Sequence, residues 1–286
     1  MPKIDQWLEQ NRVTDAVSRV ISRGHREALD ADGNLGQILC RQTIGTAPLK
    51  RVASGCKADG RTYLIAQPIA LVPDINAVWA HTLSPTDEKV LLPQVQSFLD
   101  TMGFPYEVTA EGQVYLVLSK PPLVSFQPLW RLAGVSLDQV MPKGEEAGEW
   151  VGYISESQIA FHQALDSTAR GGMGLGLWFW GLGYLPPRET LEPRVRELWA
   201  SSDELSALGS WLGLEVHAFD GLSKPPMRES VLIDWPEAMD DAALLDSVDV
   251  YIRRVLWRLR WGVLKRFELA SRTQKWSLTT KDLWWV

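Results

Sequence analysis

The sequence predicts an α/β protein with a compact α+β unit of ββαββ order in its middle. Three observations lead there. Residues 62–118 place two apolar hairpins around one well-signalled helix. After Pro187 the pattern changes to helices alternating with short apolar strands, as in an open α/β sheet. Between the two lies Gly171-Gly-Met-Gly-Leu-Gly-Leu-Trp-Phe-Trp-Gly-Leu-Gly-Tyr-Leu-Pro-Pro187. Its centre, Leu175 to Trp180, reads as a short buried strand inserted where space is tight, because glycine alone permits very close backbone approach.

Taken in order, residues 3–22 have apolar side chains at helical spacing (Ile4, Trp7, Leu8, Val13, Val17, Val20, Ile21). Asp30-Ala-Asp-Gly-Asn34 is a turn signal, and residues 35–54 read as one or two short helices. That turn is no calcium loop, since Leu35 and Arg41 occupy the positions of its glycine and its bidentate glutamate. Thr62–Leu71 and Ile75–Ala80 read as a hairpin. Ser84-Pro-Thr-Asp-Glu88 opens a helix with an N-cap, a first-turn proline and two acids; Gly103 ends it, and Pro93 predicts a kink within it. Tyr106–Val108 and Val114–Leu118 form a second hairpin. Short helical turns follow at 129–133 and 135–140, then a helix over 146–165. Beyond Pro187, the expected elements are a helix from Ser202 to Gly213, strands at 214–219 and 230–234, a long helix from Asp240 to Leu264 and a closing hairpin, 267–270 with 275–279. The apolar tail 281–286 is able to dock.

The 286 residues, 45% of them hydrophobic, suffice for a large core and favour two domains or one large α/β unit. A net charge of −6 disfavours nonspecific binding to nucleic acid or anionic membrane. Cys40 and Cys56 show no metal spacing and fit a reducing compartment. With no signal pattern and no apolar run of membrane length, a soluble cytoplasmic protein is expected. Fourteen tryptophans offer either large core anchors or an aromatic contact surface.

Several segments, in their order and spacing, resemble the RpfE-type regulatory protein family, a divergent cofactor-independent phosphoglycerate mutase-like branch. They are Tyr63-Leu-Ile-Ala-Gln-Pro-Ile-Ala-Leu-Val-Pro-Asp74, the helix after Leu83-Ser-Pro-Thr-Asp-Glu88, and Leu177-Trp-Phe-Trp-Gly-Leu-Gly-Tyr-Leu-Pro186. Leu198-Trp-Ala200, Leu212-Gly-Leu-Glu-Val216, Phe267-Glu-Leu269 and Trp276-Ser-Leu-Thr-Thr-Lys-Asp-Leu-Trp284 continue the likeness. The resemblance implies a degenerate alkaline phosphatase-like α/β domain with an inserted α+β domain. Residues 1–61 would be the helical N-terminal part of the α/β domain, 62–187 the insertion and 188–286 its C-terminal part.

The mutases of that kind need two divalent metals held by Asp and His beside a nucleophilic Ser or Thr. This chain opens on a helix, without the early strand that ends in an Asp-Gly metal ligand, and contains no Asp-His-Gly. The relatives' Ala-Asp-Pro-Val-His-Leu is here Ala66-Gln-Pro-Ile-Ala-Leu71, without its acid and its histidine. The expected function is therefore a non-catalytic regulatory or interaction protein with no cofactor. The alternative is a metal-dependent phosphoglycerate mutase-like or phosphatase-like enzyme with a rearranged site. The partner is expected to be a protein or a small-molecule ligand.

Candidate sites follow from the residues. The glycines around Trp178 and Trp180 lack the lysine of a phosphate loop and the following helix of a dinucleotide loop, so they suggest tight packing. The sharper possibility is a concave aromatic site bordered by Trp178, Trp180, Tyr184 and Arg188. Of the four histidines, His25, His81, His162 and His217, only His217 has acids near a strand end. With Asp220 and Asp234 it is the candidate metal cluster, if strands 214–219 and 230–234 are neighbours. Finally, Arg253, Arg254, Arg258, Arg260, Lys265 and Arg266 interleave with Trp257 and Trp261. This is either a surface for single-stranded nucleic acid or the solvated face of an amphipathic helix whose apolar residues are Val255, Leu256, Leu259 and Val263.

Overall fold

A computed structural model describes residues 7–8, 10, 12–29, 34–40, 42–164, 174–221, 230–235, 241–271 and 273–283. The turn at Asp30, residues Gly171-Gly-Met173 and the tail beyond 283 lie outside these residues. The protein is mixed α/β, with two compact units: residues 1–43 with 188–286, and residues 44–187.

In chain order the elements are α1 (Asp15–Arg23), β1 (His25–Ala28), α2 (Asn34–Cys40), α3 (Thr46–Ala53), β2 (Thr62–Pro73), β3 (Val78–Thr82), α4 (Pro85–Met102), β4 (Tyr106–Val108) and β5 (Val114–Leu118). Then come β6 (Val124–Ser125), α5 (Leu137–Val140), β7 (Lys143–Gly144), α6 (Ala147–Ala164), β8 (Gly174–Tyr184) and β9 (Glu197–Ala200). The chain closes with α7 (Asp203–Leu212), β10 (Glu215–Ala218), β11 (Val231–Ile233), α8 (Asp241–Arg260), β12 (Arg266–Ala270) and β13 (Gln274–Thr279). Helix starts follow local chemistry: the Ser84 and Ser202 hydroxyls accept the backbone N–H groups of Asp87 and Leu205, and Gly103 and Gly213 end the same helices in the left-handed region. Pro93 stands on an exposed position of a helix that continues to Met102.

Unit 44–187 is built on β2. Its residues Thr62–Leu71 are all buried. One edge pairs with β5 through 62–66 and then with β3 through 69–73; the other edge pairs with β8, and every pairing is antiparallel. Pro68, which has no N–H, falls where β5 hands over to β3. Its opposite number on β8 is Leu177, whose own N–H points away to the Ser157 hydroxyl of α6 at 2.8 Å. The missing donor thus leaves no ladder bond unmade, which explains a proline inside a central strand. The Ser157 bond in turn satisfies an outer-edge amide of β8.

Strand β8 is longer than its sequence suggests, because a bulge lets it continue. Ile65 faces Trp180 and Tyr63 faces Gly183, so Gly181 and Leu182 share one opposite residue; Gly181 takes φ +78°. The end of β8 then lies directly on the start of α3. A Cβ on Gly45 would stand 2.0 Å from the Leu182 carbonyl oxygen, and one on Gly183 would stand 2.7 Å from the Gly45 nitrogen. The glycines of this segment thus permit backbone-on-backbone packing.

A charge-balanced network locks the same end of β2, around Tyr63. Arg51 of α3, 7% exposed, donates to Glu107 Oε2 of β4 at 2.8 Å and to the Lys57 carbonyl, with its guanidinium 4.4 Å from the Tyr63 ring centre. Arg61 bridges Asp59 at 2.7 Å and Glu107 at 2.6 Å, and the Tyr63 hydroxyl donates to Asp59 at 2.7 Å. Burial pushes the Asp59 carboxyl up, but the bonds from Arg61 and Tyr63 and the Arg51 charge outweigh it and hold it down at about 2.

Among the described residues, unit 1–43 with 188–286 has two sheets. One is antiparallel, in the order β1-β13-β12; the other is parallel, in the order β10-β9-β11. Two strands here go unrecognised in the sequence, His25–Ala28 and Glu197–Ala200. The second matters, because β9 lies between β10 and β11 and so separates the two strands whose adjacency the candidate metal cluster required. Helix α7 covers one face of the parallel sheet, close enough that a Cβ on Gly209 would meet Leu198 Cδ2 at 2.5 Å. The core of this unit joins Trp7, Val17, Val20, Val248, Ile252, Val255, Leu259, Trp276 and Leu278.

Two tests follow. Gly183→Ala should destabilise the protein by about 1–3 kcal/mol through overpacking, whereas Gly152→Ala, where an added Cβ meets nothing within 4 Å, should stabilise helix α6 by about 0.5–1 kcal/mol. Urea unfolding of both variants decides; equal effects would refute the backbone-contact account. The second concerns pH. Asp59 has a folded pKa below its unfolded value, so its network contributes fully above about pH 4 and is lost as pH falls through about 2. The stability difference between wild type and Asp59→Asn should therefore shrink over that window. Parallel pH profiles would contradict it.

Candidate functional site

Among the described residues, three places carry side chains suited to chemistry or binding. The first is the aromatic strand. Trp178 is fully buried and Trp180 is 7% exposed. The Trp178 indole N–H donates to the Gln127 carbonyl at 2.9 Å, and that of Trp180 donates to Gln67 Oε1 at 3.0 Å. Gln67 Nε2 continues to Glu88 Oε1 at 2.7 Å, and the Lys50 ammonium stands 5.9 Å from the Trp180 ring centre. Burial lifts the Glu88 carboxyl, while the Gln67 bond and the Lys50 charge oppose that rise. Tyr184 is 57% exposed. Arg188 is exposed and belongs to the other unit. Both indoles are therefore spent on the interior. Gln67 is a buried bridge between strand and helix.

The second place is the parallel sheet. His217 faces its β9 neighbour Trp199, with ring centres 4.9 Å apart. Its Nε2 lies 3.3 Å from Glu215 Oε1 and 3.5 Å from the buried Glu197 Oε1, without hydrogen-bond geometry to either. Glu197 also accepts the Trp199 indole N–H at 2.7 Å. Asp234 turns elsewhere and accepts the backbone N–H and the hydroxyl of Ser201. Asp220 is exposed at the end of β10. The structure thus directs His217 to two glutamates that the sequence reading had not named. Among the described residues no three His, Cys, Asp or Glu side chains gather at metal-binding separation. Nor is any hydroxyl or thiol bonded to His217 among them. Burial pushes the Cys40 thiol up to about 11, which leaves it unreactive near neutral pH.

The third place is α8. Val248, Ile252, Val255 and Leu259 are buried in the core of their unit. On the opposite side Val250, Trp257 and Trp261 are 52%, 61% and 68% exposed, with Arg253, Arg254 and Arg260 around them. The two indoles are neighbours, their ring centres 6.3 Å apart. The Trp261 N–H donates to the Trp257 carbonyl at 3.2 Å, so the helical turn carries past Arg260. Arg253 is tied to Asp249 one turn earlier. Val263, expected on the apolar face, is 58% exposed. Of the fourteen tryptophans, only these two are exposed among the described residues. Two adjacent exposed indoles among arginines have the composition of a binding hot spot, in which large rigid aromatics supply contact area and guanidinium groups supply directed charge. The interleaved run of Arg and Trp was readable in the sequence; that both indoles point outward was not.

Comparison with known proteins adds little to this geometry. No family model matches the chain, and no curated protein matches it. Among solved structures, it is similar to a cofactor-independent phosphoglycerate mutase from Thermoplasma acidophilum, with 12% identity over 94% of this chain and 84% of that one and a TM-score of 0.38. A protein from Pyrococcus horikoshii gives 9% identity, 94% and 82% coverage, and the same TM-score of 0.38. A likeness at that level carries no argument about activity.

Replacing the exposed pair should be visible in fluorescence. In Trp257→Phe with Trp261→Phe, the acrylamide-quenchable, red-shifted part of the emission should fall sharply, while Trp178→Phe should leave that part unchanged. An unchanged quenching curve in the double variant would show that the indoles are not solvent-facing.

Proposed function

We propose that this protein acts by binding, as an interaction or regulatory protein, with the exposed face of α8 as its contact surface. The observation that carries this reading is the pair Trp257 and Trp261, both more than half exposed and adjacent, while the other described tryptophans are buried or half-buried. Leaving two indoles in water forgoes roughly 1.5–3 kcal/mol of burial for each large side chain, and a patch of this kind on a folded surface marks a place where something else covers it. The segments that resemble those of the RpfE-type regulatory proteins would fit a regulatory role. Gln67 and Ala70, at the positions where the resembled family has an acid and a histidine, favour a binding role over mutase chemistry. The reading requires no cofactor and suits a cytoplasmic protein. No described helix is long and apolar enough to cross a membrane.

The test is affinity capture from extracts of the native host with full-length wild type and with Trp257→Ser/Trp261→Ser as baits. Matching circular dichroism and melting temperature would establish that the variant is folded. The reading expects a partner retained by wild type and lost from the variant. Identical capture by the two baits, or chelator-sensitive phosphatase or mutase activity in the purified protein, would overturn it.

A further inference from the structure

We draw no further inference here: the strongest candidate, the groove of about 440 Å3 between α4 and α6 lined by Gln94, Phe98, Met102, Glu156, Ile159 and Phe161, carries nothing, because the unpartnered Gln94 Oε1 is closed off from solvent and nothing in the structure shows what fills the groove.

Discussion

The middle unit depends on one constraint: β2 is enclosed on every side, so whatever borders it must come very close. Its first ten residues are buried, its two edges are both paired, and helices close over the neighbouring strand. Close approach is possible only where side chains are absent. That is why glycine recurs in β8 at the points of contact, at Gly176 beneath Ser157 and Gln158 and at Gly181 and Gly183 against α3. The bulge at Gly181 is part of the same solution, since the extra residue bends the strand end onto Gly45. A segment that looks, as a string of letters, like a phosphate cradle is thus filled by the protein's own backbone.

Close packing makes buried polar groups costly, and the unit answers with closed networks. Gln67 uses both ends of its amide, accepting from Trp180 and donating to Glu88, and so connects the central strand to the first turn of α4. Arg51, Arg61, Asp59, Glu107 and Tyr63 balance two positive and two negative charges around a shared set of bonds. In both places the polar atoms are consumed by holding the fold. The contrast with α8 is physical: there Trp257 and Trp261 face solvent, and their apolar area is open to contact.

The parallel sheet shows how a site depends on strand order. His217, Asp220 and Asp234 all fall at the carboxyl ends of strands, as a metal cluster would need. With β9 set between β10 and β11, however, the neighbours of His217 are Trp199 and Glu197, and Asp234 is bound to Ser201. Nothing in the spacing of these residues announces that arrangement, because the order of parallel strands is fixed by crossovers outside the strands themselves.

By itself the sequence determined what is local. The caps at Ser84 and Ser202, the glycine stops, the hairpin at 106–118 and the closing hairpin are written in residue types a few positions apart, where steric and hydrogen-bonding preferences act directly. The core of β8 was equally readable as an apolar run. Tertiary structure decided the rest. Glu197–Ala200 is too short and too lightly patterned to declare itself, and it becomes a strand because two partners pair with it. Residues 181–184 join β8 only because a bulge keeps them in register with Tyr63 and Thr62. Above all, α8 has apolar or aromatic residues on two opposite faces. Periodicity fixes that both exist, but burial is a contact with distant parts of the chain. Only those contacts turned Val248, Ile252, Val255 and Leu259 inward and left Trp257 and Trp261 in water.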